Sequence, residues 1–328
     1  MMISLQDEFG QVETGEPVHF RNLTLLPLLR RKIETPDPSY LLLDDAIAQG
    51  LARVTELGGG SVPELRFENR SDWPVLLLDG QELVGAKQNR VLNLTILAPA
   101  RQTITIPVSC VEAGRWSMRS PDFKPAEHVM YSRGRASRAA QVTLSMHRTG
   151  ARRSDQSGVW DDIACKAERM GAQSPTQAMG AMYERHSISV EQYVRAFQCC
   201  DAQAGVVFAI DGRPLGLDLF DHPATMRKLF PKLLRSYALD ALDSSGAQCD
   251  AATMESLKEL LARVASSPSF TQPALGLGKD IRLSGLSVSG AALWAEERYI
   301  HVCAFAADGG PAPDQFGSHI SRPTRRRI

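Results

Sequence analysis

The chain has 328 residues, 43% of them hydrophobic and 6% aromatic, and its 37 Lys and Arg residues balance its 37 Asp and Glu residues. Such a composition can bury one large core or two ordinary ones, which excludes a chain that is disordered throughout. The first ten residues carry acids where a secretory signal needs bases, and no apolar run reaches the ~18 residues of a membrane span, so we expect a cytoplasmic protein without membrane contact.

The charges are unevenly distributed along the chain. Residues 101–153 contain ten Lys or Arg against three Asp or Glu, and an asymmetry of this kind suggests an anionic partner. The six cysteines form no CxxC pair and show no ligand spacing for zinc. We therefore interpret them as reduced thiols and expect no metal site.

The predicted elements begin with a strand-like run, VHFRNLTLLPLL, followed by the turn-rich TPDPS. Next, SYLLLDDAIAQGLARVTEL has apolar residues at helical spacing and ends at three glycines. This pattern predicts one helix around residues 40–56.

Between residues 62 and 112 the pattern changes to short apolar runs rich in Val, Ile, Leu and Thr. The runs are separated by Ser-Asp, Asp-Gly and Ala-Pro breaks, which is typical of antiparallel strands. In TITIPVSCVE the alternation places Ile104, Ile106, Val108 and Cys110 on one core-facing side. We therefore interpret Cys110 as a buried, inert thiol rather than as a nucleophile.

Residues 117–157 are basic and rich in Ser and Gly, and they include the run SRGRASR with Arg133, Arg135 and Arg138. Few large apolar side chains occur here, so we expect no long regular structure. The segment is predicted to be either an ordered functional excursion or a flexible surface loop.

The remaining chain predicts successive helices after residue 158, a hairpin at Asp211-Gly212, helices at 223–242 and 251–264, and closing strands. The whole pattern indicates an α+β fold with a sandwich-like antiparallel sheet region, packed helices and a C-terminal hairpin region. We expect one domain over residues 1–311, divided into a β-rich part (15–116), the basic excursion (117–157) and a helical and β part (158–306). Residues 312–328 read as a disordered basic tail.

The stretch DGQELVGAKQNR raises the possibility of a binding site. A continuous strand from Gln81 to Leu97 would be far longer than the usual five or so residues, so we expect a break at Gly85. Two cationic and two amide side chains then leave the sheet together, namely Lys87, Gln88, Asn89 and Arg90. Such a set can bind phosphate or carboxylate. The competing interpretation is a solvated loop.

Two further polar groups follow predicted elements. Glu112, Arg115 and Trp116 come at the end of the Cys110 strand, as a pocket wall or as an exposed ion pair. Arg152, Asp155 and Gln156 precede a helix, where they can bind an anion or simply cap the helix. The lone histidines His128 and His147 are assigned to the surface.

At this point the motifs LLLDGQELVGAKQNRVLNLTIL, IPVSCVEAGRW, RSDQSGVW and GVVFAIDG resemble the ARG and rhodanese-phosphatase-superfamily-associated protein domain, a bacterial family. Its name records an association with ADP-ribosylglycohydrolases. The resemblance spans roughly residues 15–305 and implies a context in NAD and ADP-ribose metabolism, without an activity or a cofactor to carry over. The positions that match its polar motifs are Glu82, Lys87, Gln88, Asn89, Arg90, Glu112, Arg115, Trp116, Asp155 and Gln156.

Together these observations predict a polar pocket that binds or processes, including by hydrolysis, an ADP-ribose- or NAD-related nucleotide. Arg and Lys would hold the diphosphate and Trp116 would stack, while Glu82 or Glu112, with a pKa raised near an apolar layer, would act as general base. We expect Arg90→Ala or Arg115→Ala to weaken binding by about 1.5 to 3 kcal/mol and to leave folding nearly unchanged. The alternative is a non-catalytic interaction module that binds a protein or nucleic acid through the basic segment. The sequence leaves the oligomeric state open.

Overall fold

The computed structural model describes residues 2–33, 35–58, 60–244 and 251–307. The strands are β1 (Glu13–Thr14), β2 (Val18–Phe20), β3 (Leu23–Leu29), β4 (Leu41–Leu42), β5 (Ala52–Glu56), β6 (Glu64–Asn69), β7 (Val75–Leu77), β8 (Gln81–Gly85), β9 (Arg90–Leu92), β10 (Ile96–Ala98), β11 (Thr103–Cys110), β12 (Phe123–Val129), β13 (Gln203–Ile210), β14 (Arg213–Phe220), β15 (Ser269–Pro273), β16 (Lys279–Ser284), β17 (Val288–Ala295) and β18 (Arg298–Ala306). The helices are α1 (Leu5–Gly10), α2 (Leu43–Ala48), α3 (Ser132–Thr149), α4 (Gln156–Arg169), α5 (Gly180–Arg185), α6 (Ser187–Ala196), α7 (Pro223–Asp243) and α8 (Met254–Ala265).

The largest sheet has nine strands and joins both ends of the chain. Its order is β1-β3-β13-β14-β18-β17-β16-β15, and β2 also pairs with β3. Neighbouring strands are antiparallel throughout this sheet. β13 is buried at every position, as expected for a central strand that is covered on both faces.

Two smaller sheets contain the strands that were predicted between residues 62 and 112. Their orders are β12-β8-β9-β11-β6-β5 and β10-β7-β4. Pairing is antiparallel apart from β4, which runs parallel to β7. Ile106, Val108 and Cys110 are buried, and Ile104 packs partly buried against the same core. The predicted α+β class and the facing of β11 are confirmed.

Helices cover both faces of the large sheet. On one face α7 packs on β13, where the rings of Phe208 and Tyr237 stack with centroids 3.8 Å apart. On the other face Leu257 and Leu260 of α8 pack against Val207.

The predicted hairpin at Asp211-Gly212 and the predicted long helix after residue 223 are confirmed. In the described part of the chain, every helix is too short or too polar to span a lipid bilayer.

The predicted helix over residues 40–56 is wrong in its second half. The helix α2 covers only Leu43–Ala48, and the chain turns at Gly50, whose φ of 71° lies in the left-handed region. Ala52–Glu56 then forms the strand β5, paired with β6. Glycine favours this turn because it has no Cβ to clash, and ARVTE alternates apolar and polar residues as a strand does.

The prediction that residues 117–157 lack long regular structure is wrong, and of the two alternatives the structure shows the ordered excursion. Phe123–Val129 forms β12 at the edge of the six-stranded sheet, and Ser132–Thr149 forms the 18-residue helix α3. The helix buries two arginines, Arg135 and Arg138, together with Val142 and Met146. The predicted tail at 312–328 and Cys249 lie outside the described residues.

Candidate functional site

The break predicted at Gly85 is present and follows from backbone geometry. β8 ends at Gly85, whose φ is 137°, and Ala86 follows with a φ of 40°. A Cβ on Gly85 would lie 2.5 Å from the carbonyl oxygen of Asp122, so only glycine fits. The chain therefore leaves the sheet for a tight turn and re-enters it at Arg90, the first residue of β9.

Arg115 closes this turn with its guanidinium group. Its Nε and Nη2 donate to the two carboxylate oxygens of Glu112 at 2.9 and 2.6 Å, and Nη2 also lies 3.2 Å from Asn89 Oδ1. Nη1 and Nη2 further donate to three backbone carbonyls, those of Gly85, Ala86 and Ser117. A guanidinium with so many partners fixes the shape of the loop. The expectation that Arg115→Ala leaves folding unchanged does not fit this geometry.

Glu112 is an ionised structural carboxylate. Burial by itself raises its pKa, but hydrogen bonds from Arg115, from the backbone N–H of Asn89 at 3.0 Å and from Thr176 outweigh burial and leave the pKa below its usual range. The hypothesis of a general base required the opposite shift. Glu112 therefore anchors Arg115, and it does not have the raised pKa that general-base catalysis at neutral pH calls for.

Glu82 is fully buried beneath His128, a residue whose predicted place on the surface is wrong. Its Oε2 lies 2.6 Å from His128 Nε2, and its Oε1 accepts from Asn89 Nδ2 at 3.2 Å. The His128 ring stacks on Tyr183 with centroids 3.7 Å apart. A shift in register between Pro125 and Val129 brings His128 over Glu82. Alternation cannot predict a bulge of this kind, so the pairing was missed.

Three side chains lie together beside this turn and are named the rim cluster: Lys87, Arg90 and Trp116. Trp116 is 51% exposed, with Lys87 Nζ and Arg90 Cζ at 5.1 and 5.9 Å from its ring centroid. Arg90 is buried, and only its Nη1 has acceptors, Gln88 Oε1 at 3.2 Å and the Asn89 carbonyl at 3.3 Å. Its Nε and Nη2 are buried without a hydrogen-bond partner.

The two glutamine side chains of the predicted site are bound to backbone. Gln88 Nε2 donates to the Glu112 carbonyl at 2.9 Å. Gln156 accepts from the Cys110 N–H at 2.8 Å and donates to the Cys110 carbonyl at 2.9 Å, so it extends the ladder of β11. Cys110 itself is a buried free thiol whose pKa is raised by burial, which agrees with the prediction of an inert cysteine.

Arg152 and Asp155 have structural partners away from the rim cluster. Asp155 is the N-cap of α4 and accepts from the Ser157 N–H, so the capping interpretation is confirmed. Arg152 donates to the carbonyl oxygen of Pro273 at 2.6 Å. Neither contact is with Lys87, Arg90 or Trp116.

Two arginines of the basic segment, Arg135 and Arg138, form a buried ion network. Arg135 binds both carboxylate oxygens of Asp218 at 2.7 and 3.0 Å, and Arg138 binds Asp79 at 2.7 Å. Arg135 and Asp79 also approach to 3.4 Å, and these side chains are buried. The bonded residues are separated by 56 to 83 positions in the chain. Composition alone therefore could not predict these bonds.

Gly80, which follows Asp79, is required by this network. Its φ is 79°, and a Cβ would lie 2.9 Å from both Cγ and Cδ of Arg135. We expect Gly80→Ala to destabilise the fold by more than the roughly 1 to 2 kcal/mol of a left-handed alanine, because the buried guanidinium must also move. Gly150 is a matched control, since its φ of 73° is similar and no atom lies within 4 Å of its Cβ position. Equal losses of unfolding free energy in Gly80→Ala and Gly150→Ala, measured with urea, would contradict this account.

Comparisons with known proteins now give one match. A family model described as ARG and Rhodanese-Phosphatase-superfamily-associated Protein domain matches residues 11–305. No curated protein and no solved structure matches the chain. Among the described residues, no group of three or more His, Cys, Asp or Glu side chains could hold a metal ion.

Proposed function

The chain belongs to the family of ARG and Rhodanese-Phosphatase-superfamily-associated Protein domains, and from this premise we propose that it binds an ADP-ribose- or NAD-related nucleotide at the rim cluster. Arg90 and Lys87 would contact the phosphates and Trp116 would stack on a ring of the ligand. The family name supports the ligand class through its reference to ADP-ribosylglycohydrolases. The geometry supports an anionic ligand with a planar ring.

The observation that carries the proposal is the unsatisfied guanidinium of Arg90. Buried polar groups almost always have hydrogen-bond partners, because an unpaired buried donor costs about 1 to 3 kcal/mol. Arg90 nevertheless has two buried nitrogens without an acceptor. A phosphate oxygen would supply charge-assisted hydrogen bonds to these donors. The free energy that the chain loses because two Arg90 nitrogens lack an acceptor would thus be recovered when the ligand binds.

Trp116 supplies the aromatic surface on which the planar ring of such a ligand can stack. Half of its surface is exposed although large aromatic side chains usually stabilise by burial. It lies on the segment between β11 and β12, with Arg90 Cζ 5.9 Å from its ring centroid. Nucleotide bases stack on indole rings, with about 1 to 3 kcal/mol per base.

The proposed function is ligand binding. It does not include hydrolysis with Glu82 or Glu112 as the general base. Glu112 is held ionised by Arg115, and Glu82 is covered by His128 and Asn89. Both carboxylates therefore position the turn that carries the rim cluster. The alternative of a basic docking module loses its main feature, because Arg135 and Arg138 are buried in ion pairs.

Trp116→Ala tests the proposal, with Trp73→Ala as its matched control. Trp73 is 58% exposed and lies on a different loop, after β6. In calorimetric titrations with ADP-ribose, NAD and AMP, we expect Trp116→Ala to weaken affinity roughly tenfold through lost stacking. Trp73→Ala should bind as the wild type does, and both variants should unfold at the wild-type urea concentration.

A second comparison isolates the phosphate contact. The wild-type chain should bind AMP more tightly than adenosine, and Arg90→Met should abolish this preference, a change of about 1.5 to 3 kcal/mol for a charge-assisted bond. Unchanged AMP affinity in both Trp116→Ala and Arg90→Met would overturn the proposal. Binding of short RNA that grows with RNA length and falls with salt would instead favour the docking module.

A further inference from the structure

A cavity with an apolar lining lies between the N-terminal segment and α8, and it shares no residue with the rim cluster. It is open to solvent and has a volume of about 300 Å³. Its apolar side chains are Phe9, Val12 and Leu28 from the N-terminal segment and Leu261, Ala262 and Ala265 from α8. Sites for small molecules have volumes of about 300 to 1,000 Å³ and a predominantly apolar lining. The cavity is therefore large enough for a small ligand.

The cavity follows from the shortness of α1. This helix begins at Leu5, which belongs to the same core as Leu257 of α8, but it ends at Gly10. The chain then enters β1, where Thr14 pairs with Leu28 of β3. The space between this turn of the chain and the second half of α8 remains unfilled.

Several large side chains around the cavity are only partly buried. Phe9, Val12 and Leu261 pack at the margin of the core, and each keeps part of its surface accessible to water. Leu28, in contrast, is fully buried in the sheet. Covering the accessible apolar surface with an apolar ligand is favourable, because it removes that surface from water.

The cavity has one charged lining residue, Lys258. Its side chain is exposed, and within the described part of the chain it has neither an ion pair nor a hydrogen bond. Two acids of the facing segment are already paired, Glu8 with Arg30 and Glu13 with Arg31. A lysine can lay its apolar stem along such a lining and keep its ammonium group in water. An unpaired positive charge therefore lies beside apolar walls.

We propose that this cavity binds a medium-chain fatty acid, with the hydrocarbon chain inside the cavity and the carboxylate beside Lys258. One cation at an otherwise apolar lining matches a ligand with one anionic head and a plain apolar tail. A nucleotide matches it poorly, because sugar and base would lose their hydrogen bonds to water while the polar side chains of the lining are only Thr14 and Lys258. The proposal does not depend on nucleotide binding at the rim cluster.

The volume of the cavity sets the length of the chain. A water molecule takes about 30 Å³ in the liquid, and a methylene group is of similar size, so a cavity of about 300 Å³ holds about ten such groups. Each methylene group that enters should tighten binding about fourfold. Methylene groups beyond about the tenth stay in water and should add little.

Calorimetric titration of the full chain with hexanoate, octanoate, decanoate and tetradecanoate, each below its micelle concentration, tests the site. We expect affinity to rise about fourfold per methylene group up to decanoate and to level off at tetradecanoate. Ala262→Phe adds a ring at an exposed position of the lining and should weaken decanoate binding at least roughly tenfold, because the ring takes the space of several methylene groups. Glu259→Phe is the matched control, exposed on the same helix but outside the lining, and should bind as the wild type does.

Lys258→Met tests the head group separately from the chain. The wild-type protein should bind decanoate about two- to fivefold more tightly than decanol, the usual size of an exposed ion pair. Lys258→Met should remove this preference and leave the affinity for decanol unchanged.

The outcomes distinguish a fatty-acid site from an unspecific apolar surface. Absence of decanoate binding, an affinity that does not depend on chain length, or equal affinities of Ala262→Phe and Glu259→Phe would overturn the proposal. A wild-type dimer in sedimentation that Ala262→Phe converts to a monomer would overturn it as well, because a second copy would then cover the cavity. AMP binding by the same variants reports on the rim cluster alone, so failure of one proposal is distinct from failure of the other.

Discussion

Replacing Arg135 by methionine is expected to lower the free energy of unfolding by about 3 to 5 kcal/mol, the usual result of removing one partner from a buried ion pair. Asp218 would keep only His301, and Asp79 only Arg138. Both carboxylates are buried, so water cannot replace the guanidinium. Methionine preserves most of the side-chain volume, which makes the lost charge the main cause of the effect.

Arg133→Met is the matched control for this substitution. Arg133 lies on the same helix α3, and its side chain is exposed, so the same change should alter stability by no more than about 0.5 kcal/mol. Urea unfolding followed by circular dichroism measures both variants. Equal and small effects at the two positions would show that the network contributes little to stability.

Replacing Arg115 by alanine should likewise destabilise the fold by about 3 to 5 kcal/mol. Glu112 would become a buried carboxylate without its cation, and the carbonyls of Gly85, Ala86 and Ser117 would lose their donors. Arg115→Lys keeps the charge but not the bidentate geometry, so its free energy of unfolding should lie between those of the wild type and Arg115→Ala. Arg119→Ala, at an exposed position of the same loop, is the control and should be nearly neutral.

The Arg115 prediction has a pH signature. The folded-state pKa of Glu112 lies below its ordinary value of 4.5, since the bonds from Arg115, Asn89 and Thr176 exceed the effect of burial. Its stabilisation is therefore fully present above pH 4.5 and is lost as the pH falls through the folded-state value. In Arg115→Ala this acid-dependent loss should shrink. An unchanged pH dependence of unfolding would assign the acid sensitivity to other carboxylates.

The turn at Gly85 could be predicted from the sequence because its cause is local. A strand from Gln81 to Leu97 is too long for a globular sheet, and a single glycine marks the break. The facing of Ile106 and Cys110 was equally local, since alternation along one strand decides it. Predictions of this kind require only the order of residues within a few positions.

The arginine helix α3 could not be predicted on the same basis. Arg135, Arg138, Val142 and Met146 lie on one buried stripe at helical spacing, but a hydropathy pattern counts arginine as a surface residue. Only the partners Asp79 and Asp218, far away in the chain, make its burial favourable. The stripe becomes visible once a buried arginine is allowed at the positions of an apolar residue.

The pairings of His128 with Glu82 and of His301 with Thr95 depend on still longer connections. His128 reaches Glu82 through an irregular register between β8 and β12. His301 and Thr95 are separated by 206 positions, and neither belongs to a recognisable motif. Geometry of this kind is a property of the assembled sheets.

The place of β3 in the large sheet has a consequence for how the chain folds. β3 pairs with β13 along its full length, with Leu26 opposite Val207 and Leu23 opposite Ile210. Pairing these residues closes a loop that contains more than half of the sequence. The chain loses this conformational entropy before the two strands make any apolar contact. During synthesis the apolar strand near the N-terminus therefore waits, unpaired on its β13 side, until Gln203–Ile210 has left the ribosome. In this interval Leu23–Leu29 can form local pairs, such as its antiparallel pairing with β2.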